Sequence, residues 1–177
     1  MAEEQAPQKQ YSIQKLYVKD VSFESPDTPK AFSFNKWEPK IELNLNHSHS
    51  AIDANLYEAV LIVTATVKQK EKTAFLVEVQ QAGLFAIVGF DDNDRNYILS
   101  SQCMSILFPY AREAISDLTS RGGFPPLVLT PVNFDALYKQ HLDEQAGKES
   151  DAEEPGAPHP AEPHPGESQP KTEVVKH

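Results

Sequence analysis

The chain has 177 residues, with 26 acidic and 16 basic side chains and a formal net charge of −10. This charge is unsuited to contact with a nucleic-acid backbone or an anionic membrane surface, so we expect no nucleic-acid partner and no membrane insertion. The single cysteine, Cys103, excludes an intrachain disulfide and favours a reducing compartment. Neither a signal peptide nor an apolar run of membrane-spanning length is evident, and we therefore expect a cytoplasmic protein.

The composition divides the chain into a folded part and two polar ends. Residues 147–177 contain six of the 14 prolines and no aromatic residue, and their seven acidic and three basic side chains leave a net charge of −4. Such a segment cannot bury enough apolar surface to offset its ordering entropy. We predict a disordered acidic tail, rich in proline and histidine, over 147–177. We also predict a disordered N-terminus over 1–10 and one folded domain over 11–146.

Alternating hydrophobicity predicts the first strand, over residues 11–24. Side chains that alternate along a strand point to opposite faces of the sheet, so the strand has an apolar and a polar face. The apolar face is predicted to carry Ile13, Tyr17, Val21 and Phe23, and the polar face Asp20, Ser22 and Glu24.

Three further strands follow a proline-bounded loop. Ile41, Leu43 and Leu45 alternate with polar residues, which indicates a half-exposed strand. Two runs rich in β-branched residues, 56–69 and 72–90, come next and are joined by the charged segment "KQKEK", which suits a hairpin. Gly83 predicts a break in the last strand.

The pattern then changes to helices. A weakly periodic stretch over 97–104 precedes a short helix, which we expect to have Pro109 in its first turn and to end at Gly122. A last helix is predicted over residues 133–145, with Gly147 as its stop. The apolar side of this last helix carries Phe134, Leu137, Tyr138 and Leu142.

Strands followed by helices indicate an α+β fold, here a four-stranded antiparallel sheet followed by two or three helices. So few helices leave apolar surface on the sheet, which self-association through strand edges would cover. The helix at Pro109 carries a stripe of apolar side chains, two of them alanines, that permits close packing either on its own core or on a neighbouring helix. These side chains are Ala111, Ala114, Ile115 and Leu118.

No segment carries a catalytic or cofactor-binding signature. The chain lacks the glycine-rich loops that bind phosphates or dinucleotides and lacks a nucleophile elbow, so we predict no enzymatic activity and no cofactor. The acidic string "DDNDRN" at 91–96 lacks the glycine and glutamate of a calcium loop and suits a solvated loop or a helix N-terminus. His47 and His49 share a strand face and give only weak, incidental metal affinity, so no metal site is predicted.

Two groups of residues are candidate binding surfaces. In the first and fourth strands, two pairs of residues have the spacing that places each pair on one sheet face. If the strands are neighbours, the pairs form one acidic patch with an apolar centre. The pairs are Asp20 with Glu24 and Leu76 with Glu78; an ordinary solvated face is the alternative for them. The second group, Phe32, Phe34 and Trp37, either fills the core or forms the floor of a binding site.

Several segments, in order, resemble the SecB family of bacterial protein-export chaperones. They are "YVKDVSFESPDTP", "TAFLVEVQQAGLFAI", "ILFPYAREAISDLTSRGGFPPL" and "TPVNFDALY", and the resemblance covers about residues 11–147. It implies an α+β subunit that assembles as a dimer of dimers, in which edge strands pair into larger sheets and helices lie between two sheets. The small apolar stripe of the Pro109 helix would then face neighbouring helices. The implied activity is to hold unfolded precursor proteins for export without ATP.

The resemblance also implies roles for the candidate surfaces. The acidic patch matches by position the family's docking face for the translocation ATPase SecA, whose zinc-bearing C-terminal segment is basic. Unfolded clients would lie in apolar grooves lined by Phe32, Phe34, Trp37, Leu43, Leu45, Phe134 and Leu137. The implied partners are further copies in a homotetramer, unfolded preproteins and SecA. A non-enzymatic adaptor that joins folded partners through its acidic face is the alternative function.

Overall fold

The computed structural model describes residues 8–33 and 36–152, which contain one antiparallel sheet. Its strands are β1 (Gln10–Glu24), β2 (Lys40–Asp53), β3 (Leu56–Gln69) and β4 (Lys72–Val88). Their order across the sheet is β1-β4-β3-β2, so three hairpin-connected strands and the distant β1 form a Greek key. The connection between β1 and β2 contains a 3-10 helix over Lys30–Ser33. The predicted α+β class and the antiparallel sheet are confirmed.

The β3–β4 hairpin closes through the two residues Lys70 and Glu71, whose φ angles are 50° and 64°. Two successive positive φ angles are typical of a type I′ turn, which matches the twist of the flanking strands. The predicted hairpin is confirmed, but the predicted break at Gly83 is wrong, because β4 is continuous. A side chain at Gly83 would lie 2.7 Å from the Phe85 ring and 2.9 Å from Leu16, so this glycine makes room for its neighbours.

Two bulges in β1 change which of its side chains face the core. The pairing of β1 with β4 skips one residue between Ile13 and Lys15 and another between Val18 and Asp20. Each extra residue reverses the alternation of side chains. Tyr17 therefore lies on the face opposite to Ile13, and the prediction that the two share a face is wrong.

The helical region is longer than the sequence predicts. Helix α1 (Asp92–Tyr97), a π-helical turn (Ile98–Gln102) and helix α2 (Cys103–Arg121) follow one another without interruption. Asp91 caps α1 by accepting a hydrogen bond from the Asp94 N–H at 2.8 Å, which confirms a helix N-terminus in the acidic string.

Pro109 lies inside α2, so its predicted place in the first helical turn is wrong. Proline removes one backbone hydrogen bond, here to the Ser105 carbonyl, but Pro109 and Ser105 are both exposed and water can reach that carbonyl. The preceding residues Met104 and Leu107 are completely buried. Their packing keeps the chain helical on the N-terminal side of the proline.

The two glycines after α2 have different functions. Gly122 keeps a right-handed conformation, whereas Gly123 has φ 82° and is the left-handed residue that we expected at Gly122. The N–H groups of Gly123 and Phe124 bond to carbonyls of the last turn at 3.0 and 3.1 Å, which forms a Schellman motif. Gly122 instead gives space to Phe23, since a Cβ there would lie 2.3 Å from the ring.

Helix α3 spans Phe134–Ala152 and begins at Asn133, whose side chain accepts the Ala136 N–H at 3.0 Å. It continues past Gly147, so the predicted stop at this glycine is wrong. Of the disordered ends predicted over 1–10 and 147–177, Gln10 belongs to β1 and residues 147–152 belong to α3, whereas residues 1–7 and 153–177 lie outside the described residues. Within the described part of the chain, the helices lack the combination of length and apolar character that crossing a membrane requires.

Helix α2 packs on one face of the sheet, which we call the inner face, and mainly on its central strands β3 and β4. Ala111 and Ile115 have 0% exposed surface because the chain's own sheet covers them. The prediction that these two side chains contact another subunit is therefore wrong. Ala114 and Leu118 are only half-buried and keep surface for such a contact.

We predict that Gly122→Ala lowers the free energy of unfolding by about 1–3 kcal/mol, because its methyl group overlaps the Phe23 ring. Removing the ring with Phe23→Leu should reduce the cost of Gly122→Ala to below about 1 kcal/mol. Gly123→Ala is the matched control, because its cost of about 1 kcal/mol arises from the left-handed backbone and should persist in Phe23→Leu. Urea denaturation at fixed protein concentration measures all variants, and an unchanged cost of Gly122→Ala in Phe23→Leu would contradict this explanation.

Candidate functional site

The acidic pairs of β1 and β4 lie together on the face opposite to α2, which we call the outer face. Leu76 lies directly opposite Glu24, and Glu78 lies opposite Ser22. Residues directly opposite in neighbouring strands share a sheet face. Asp20 is one pair further along, opposite Gln80, about 13 Å from Glu24 along the strand. These four residues, Asp20, Glu24, Leu76 and Glu78, are called the acidic face below.

Hydrogen bonds orient one carboxylate of the acidic face. Glu78 accepts a hydrogen bond from the Thr64 hydroxyl at 2.9 Å and from the Gln80 amide at 3.3 Å. Asp20 and Glu24 are exposed, whereas Leu76 and Glu78 are half-buried. A half-buried leucine between carboxylates suits a basic partner segment that also carries an apolar side chain.

A second acidic group on the outer face is already neutralised by a neighbouring cation. Lys19 Nζ lies 2.7 Å from Glu58 Oε2, and the Tyr17 hydroxyl donates to the other oxygen of this carboxylate. These bonds, that of Lys19 first, hold the pKa of Glu58 below its ordinary value, and the bond to Glu58 raises the pKa of Tyr17 to about 12. The unneutralised negative charge of β1 therefore lies towards Glu24.

On the inner face, β2 presents an apolar row that α2 does not cover. Ile41, Leu43 and Leu45 lie opposite Val67, Ala65 and Val63, which are core residues of β3. Ile41 is 49% exposed and Leu43 43% exposed, although both point to the same side as the core. We call Ile41, Leu43 and Leu45 the β2 row.

One end of the β2 row lies near a cluster of aromatic rings around Phe124, since Ile41, Val67 and Phe75 form one row across the sheet and the Phe124 ring packs on Phe75. Phe124 is buried, and its ring centroid lies 5.1 Å from that of Phe32 and 5.6 Å from that of Trp37. Phe32 is exposed and Trp37 half-buried, so these two form the outer surface of the aromatic cluster while Phe124 fills the core. Phe34 lies outside the described residues.

Gln69 fixes the segment that carries Trp37. Its buried side chain accepts the Glu38 N–H at 3.1 Å and donates to the Lys36 carbonyl at 2.8 Å. The backbone is thus held on both sides of Trp37. A buried amide whose oxygen and NH₂ group both have hydrogen-bond partners is costly to remove, so the position of the Trp37 indole is well defined.

The other end of the β2 row leads into a cavity of about 780 Å³ between β2, β3 and α3. Leu45, Phe134 and Leu137 line it, as do Tyr138 and Leu142 from the same side of α3. The predicted groove residues therefore do not form one site. Phe32 and Trp37 belong to the aromatic cluster, Phe134 and Leu137 belong to the cavity, and the β2 row connects the two.

The first turn of α3 is anchored to the π-helical turn. Asp135 accepts hydrogen bonds from the Ser101 hydroxyl and, at 2.9 Å, from the Tyr97 hydroxyl. The bond from Ser101 is the main cause that lowers the pKa of Asp135, and the same carboxylate raises the pKa of Tyr97. The Phe134 ring packs edge-on against Phe108 at 5.7 Å. The wall of the cavity is thus fixed at its N-terminal end.

Residues 8–33 and 36–152 contain no metal-ligating cluster, and their one thiol is buried. No group of three or more His, Cys, Asp or Glu among them is placed to hold a metal ion. Cys103 is completely buried, and burial raises the pKa of its thiol to about 12, which leaves little reactive thiolate at neutral pH.

Comparison with known proteins shows the fold of the chain first and then its family. The fold matches that of a SecB-like chaperone from Mycobacterium tuberculosis, solved in complex with a peptide from an antitoxin. The TM-score is 0.59 at 19% identity, and the match covers 69% of this chain and 90% of that one. The family described as preprotein translocase subunit SecB matches residues 4–145, so the chain belongs to the SecB family.

Individual SecB proteins are similar over most of the chain. The protein-export protein SecB of Methylococcus capsulatus is 56% identical over 140 residues, which are 79% of this chain and 90% of that protein. The protein-export protein SecB of Legionella pneumophila strain Philadelphia 1 is 52% identical over 142 residues, 80% of this chain and 87% of its own.

We call the aromatic cluster, the β2 row and the cavity together the groove, and sequence reasoning missed parts of both of its ends. Phe124 and Gln69 are distant in sequence from Trp37, and nothing local indicates that they support it. Ile41 belongs to the same alternating pattern as Leu43 and could have been added from it. Tyr138 and Leu142 share the predicted apolar side of the last helix and could likewise have been included.

We predict that Gln69→Ala shifts the fluorescence emission of Trp37 to longer wavelength, because the segment loses its two hydrogen bonds and the indole becomes more exposed. Trp37 is the only tryptophan, so the emission reports on this site alone. Stability should fall by about 1–3 kcal/mol. Gln14→Ala, in an exposed bulge of β1, is the matched control and should leave both quantities unchanged. Unchanged emission in Gln69→Ala would refute the positioning role.

Proposed function

We propose that the chain is an ATP-independent chaperone that holds unfolded precursor proteins in the cytoplasm and delivers them to SecA for export. The single observation that carries the proposal is the half-exposed β2 row, which joins the aromatic cluster to the cavity. The relatives named protein-export protein SecB support export as the process. The chaperone from M. tuberculosis, which was solved with a peptide, supports a polypeptide segment as the ligand.

The size and chemistry of the groove suit an extended apolar segment. Covering the exposed half of Ile41 and Leu43 contributes about 1 kcal/mol for each side chain. One short segment would bind with about −4 to −8 kcal/mol, a millimolar to micromolar affinity. Folded proteins bury such segments, so the groove selects chains that have not yet folded. Because association and release are reversible at this affinity, the cycle needs no ATP.

Self-association would raise this affinity. β1 is an edge strand, and its inner face leaves three apolar side chains about half exposed: Ile13, Val18 and Val21. Pairing two β1 edges would extend the sheet and cover them, and contacts through α2 would then join two pairs into a dimer of dimers. Several grooves that hold one long client give an avidity gain of about 10²–10⁴.

Delivery to SecA uses the acidic face in this proposal. Because side chains alternate along each strand, the acidic face and the groove lie on opposite sides of the same sheet. A basic segment of SecA can then dock without displacing the client. Its encounter would be accelerated by charge and would weaken with salt.

We predict that Asp20→Lys with Glu24→Lys abolishes SecA binding and leaves client holding intact, because the two activities use opposite faces of the sheet. SecA binding is measured by calorimetry, and client holding by light scattering of a refolding precursor in the absence of ATP. The matched control is Asp53→Lys with Asp143→Lys. It makes the same change of charge, from −10 to −6, since each replacement adds two positive charges. Asp53 lies opposite Leu56 at the far end of β2 and Asp143 is an exposed residue of α3, so both are distant from the acidic face.

The control should retain both activities. Equal loss of SecA binding and client holding in the Asp20→Lys, Glu24→Lys variant would contradict two separate surfaces. Failure of the unmodified chain to suppress aggregation would reject the chaperone function and favour an adaptor between folded partners.

A further inference from the structure

Three imidazoles line the cavity between β2 and α3. His47 and His49 lie opposite Leu61 and Ala59 of the core, which places both on the inner face of β2. His141 joins them from α3, where its ring nitrogen lies 2.8 Å from the Gln145 amide. The sequence indicates only the first two, since the third is distant along the chain.

The imidazoles are the groups through which the charge of this cavity can change near physiological pH. Its other lining side chains in the described part of the chain are apolar, amide or hydroxyl groups, and none is an Asp, Glu, Lys or Arg. On β3, the charged residues Glu58 and Lys68 lie on the outer face, away from the cavity. Tyr138 also lines the cavity, with a phenol side chain.

Charged groups on the surrounding helices do not line the cavity. In α1, Arg95 pairs with Asp92 at 2.5 Å and lies over the Tyr57 ring. In α3, Asp135 is bonded to the π-helical turn, and Glu144 accepts a hydrogen bond from Gln140 at 3.0 Å. The remaining charged residues of this part of α3, Lys139 and Asp143, are exposed to solvent.

His47 resists protonation without a partner of opposite charge. Burial is the first cause that lowers the pKa of His47, and His49 and His141 lower it further. Imidazoles in general change charge between about pH 5 and 8, and at His47 the lowered pKa moves this change to lower pH. A carboxylate in the cavity would favour the charged form by opposing both effects.

We propose that His47, His49 and His141 make the cavity a pH-dependent site for peptide segments that combine apolar side chains with a flanking carboxylate. The inference rests on the proposed function, because it specifies which client segments this end of the groove accepts. Neutral imidazoles do not discriminate between client side chains by charge. At lower pH, imidazolium N–H groups donate to a client carboxylate and repel a client lysine.

Three labelled peptides that share one apolar sequence and differ only in their flanking residue, Glu, Gln or Lys, test the proposal. Their binding to the full chain is measured by fluorescence anisotropy at about pH 7.5 and about pH 5.8, where the peptide carboxylate stays ionised, in about 150 mM salt. The affinity ratio of the Glu to the Gln peptide should rise at least about threefold on acidification, and the Lys to Gln ratio should fall.

Two triple variants locate the effect. His47→Gln, His49→Gln and His141→Gln together should remove the pH dependence of both ratios. The matched control replaces the other three histidines, His159→Gln, His164→Gln and His177→Gln, and should retain it. Ratios that do not change with pH in the unmodified chain, or that still change in the cavity variant, overturn this inference. If none of the peptides binds at either pH, both this inference and the proposed function fail. If the peptides bind but their affinity ratios do not change with pH, only this inference fails.

Discussion

The sheet of this protein has a wider apolar inner face than helix α2 covers. Helix α2 packs on β3 and β4, so the side chains of these strands are buried within a single chain. The edge strands β1 and β2 carry apolar side chains on the same face, and these remain about half exposed. Contiguous exposed apolar rows are typical of surfaces that bind other chains. In our account a second copy covers β1, and an unfolded client covers β2.

The alternation of side chains along a strand lets one thin sheet carry two independent surfaces. Neighbouring residues of β4 contribute to the core and to the acidic face: Val77 is completely buried on the inner side, and Glu78 lies on the outer side. A ligand on one face therefore leaves the other face free. The same geometry explains the sensitivity of β1 to its bulges, because one extra residue transfers a side chain such as Tyr17 from one surface to the other.

Local patterns in the sequence predicted the four strands, the hairpin and the shared face of Asp20 and Glu24, because period-two alternation and turn chemistry are local properties. The bulges of β1 were missed because they depend on pairing with β4. The extent of α2 was missed because the burial of Met104 and Leu107 outweighs the local signal of Pro109. The resemblance supplied the roles of the groove residues. Their division between an aromatic cluster and a cavity, and the contribution of His141, depend on contacts between residues far apart in the chain.

The most direct test of the uncovered β2 row is thiol labelling of Leu43→Cys, compared with Asn44→Cys on the outer face of the same strand. The natural Cys103 is completely buried and should not react on the same timescale. Both introduced thiols should react rapidly in the free protein, since both positions are exposed. An unfolded precursor should slow labelling of Leu43→Cys at least about tenfold and leave Asn44→Cys unchanged. Equal rates with and without the precursor at both positions would contradict the account.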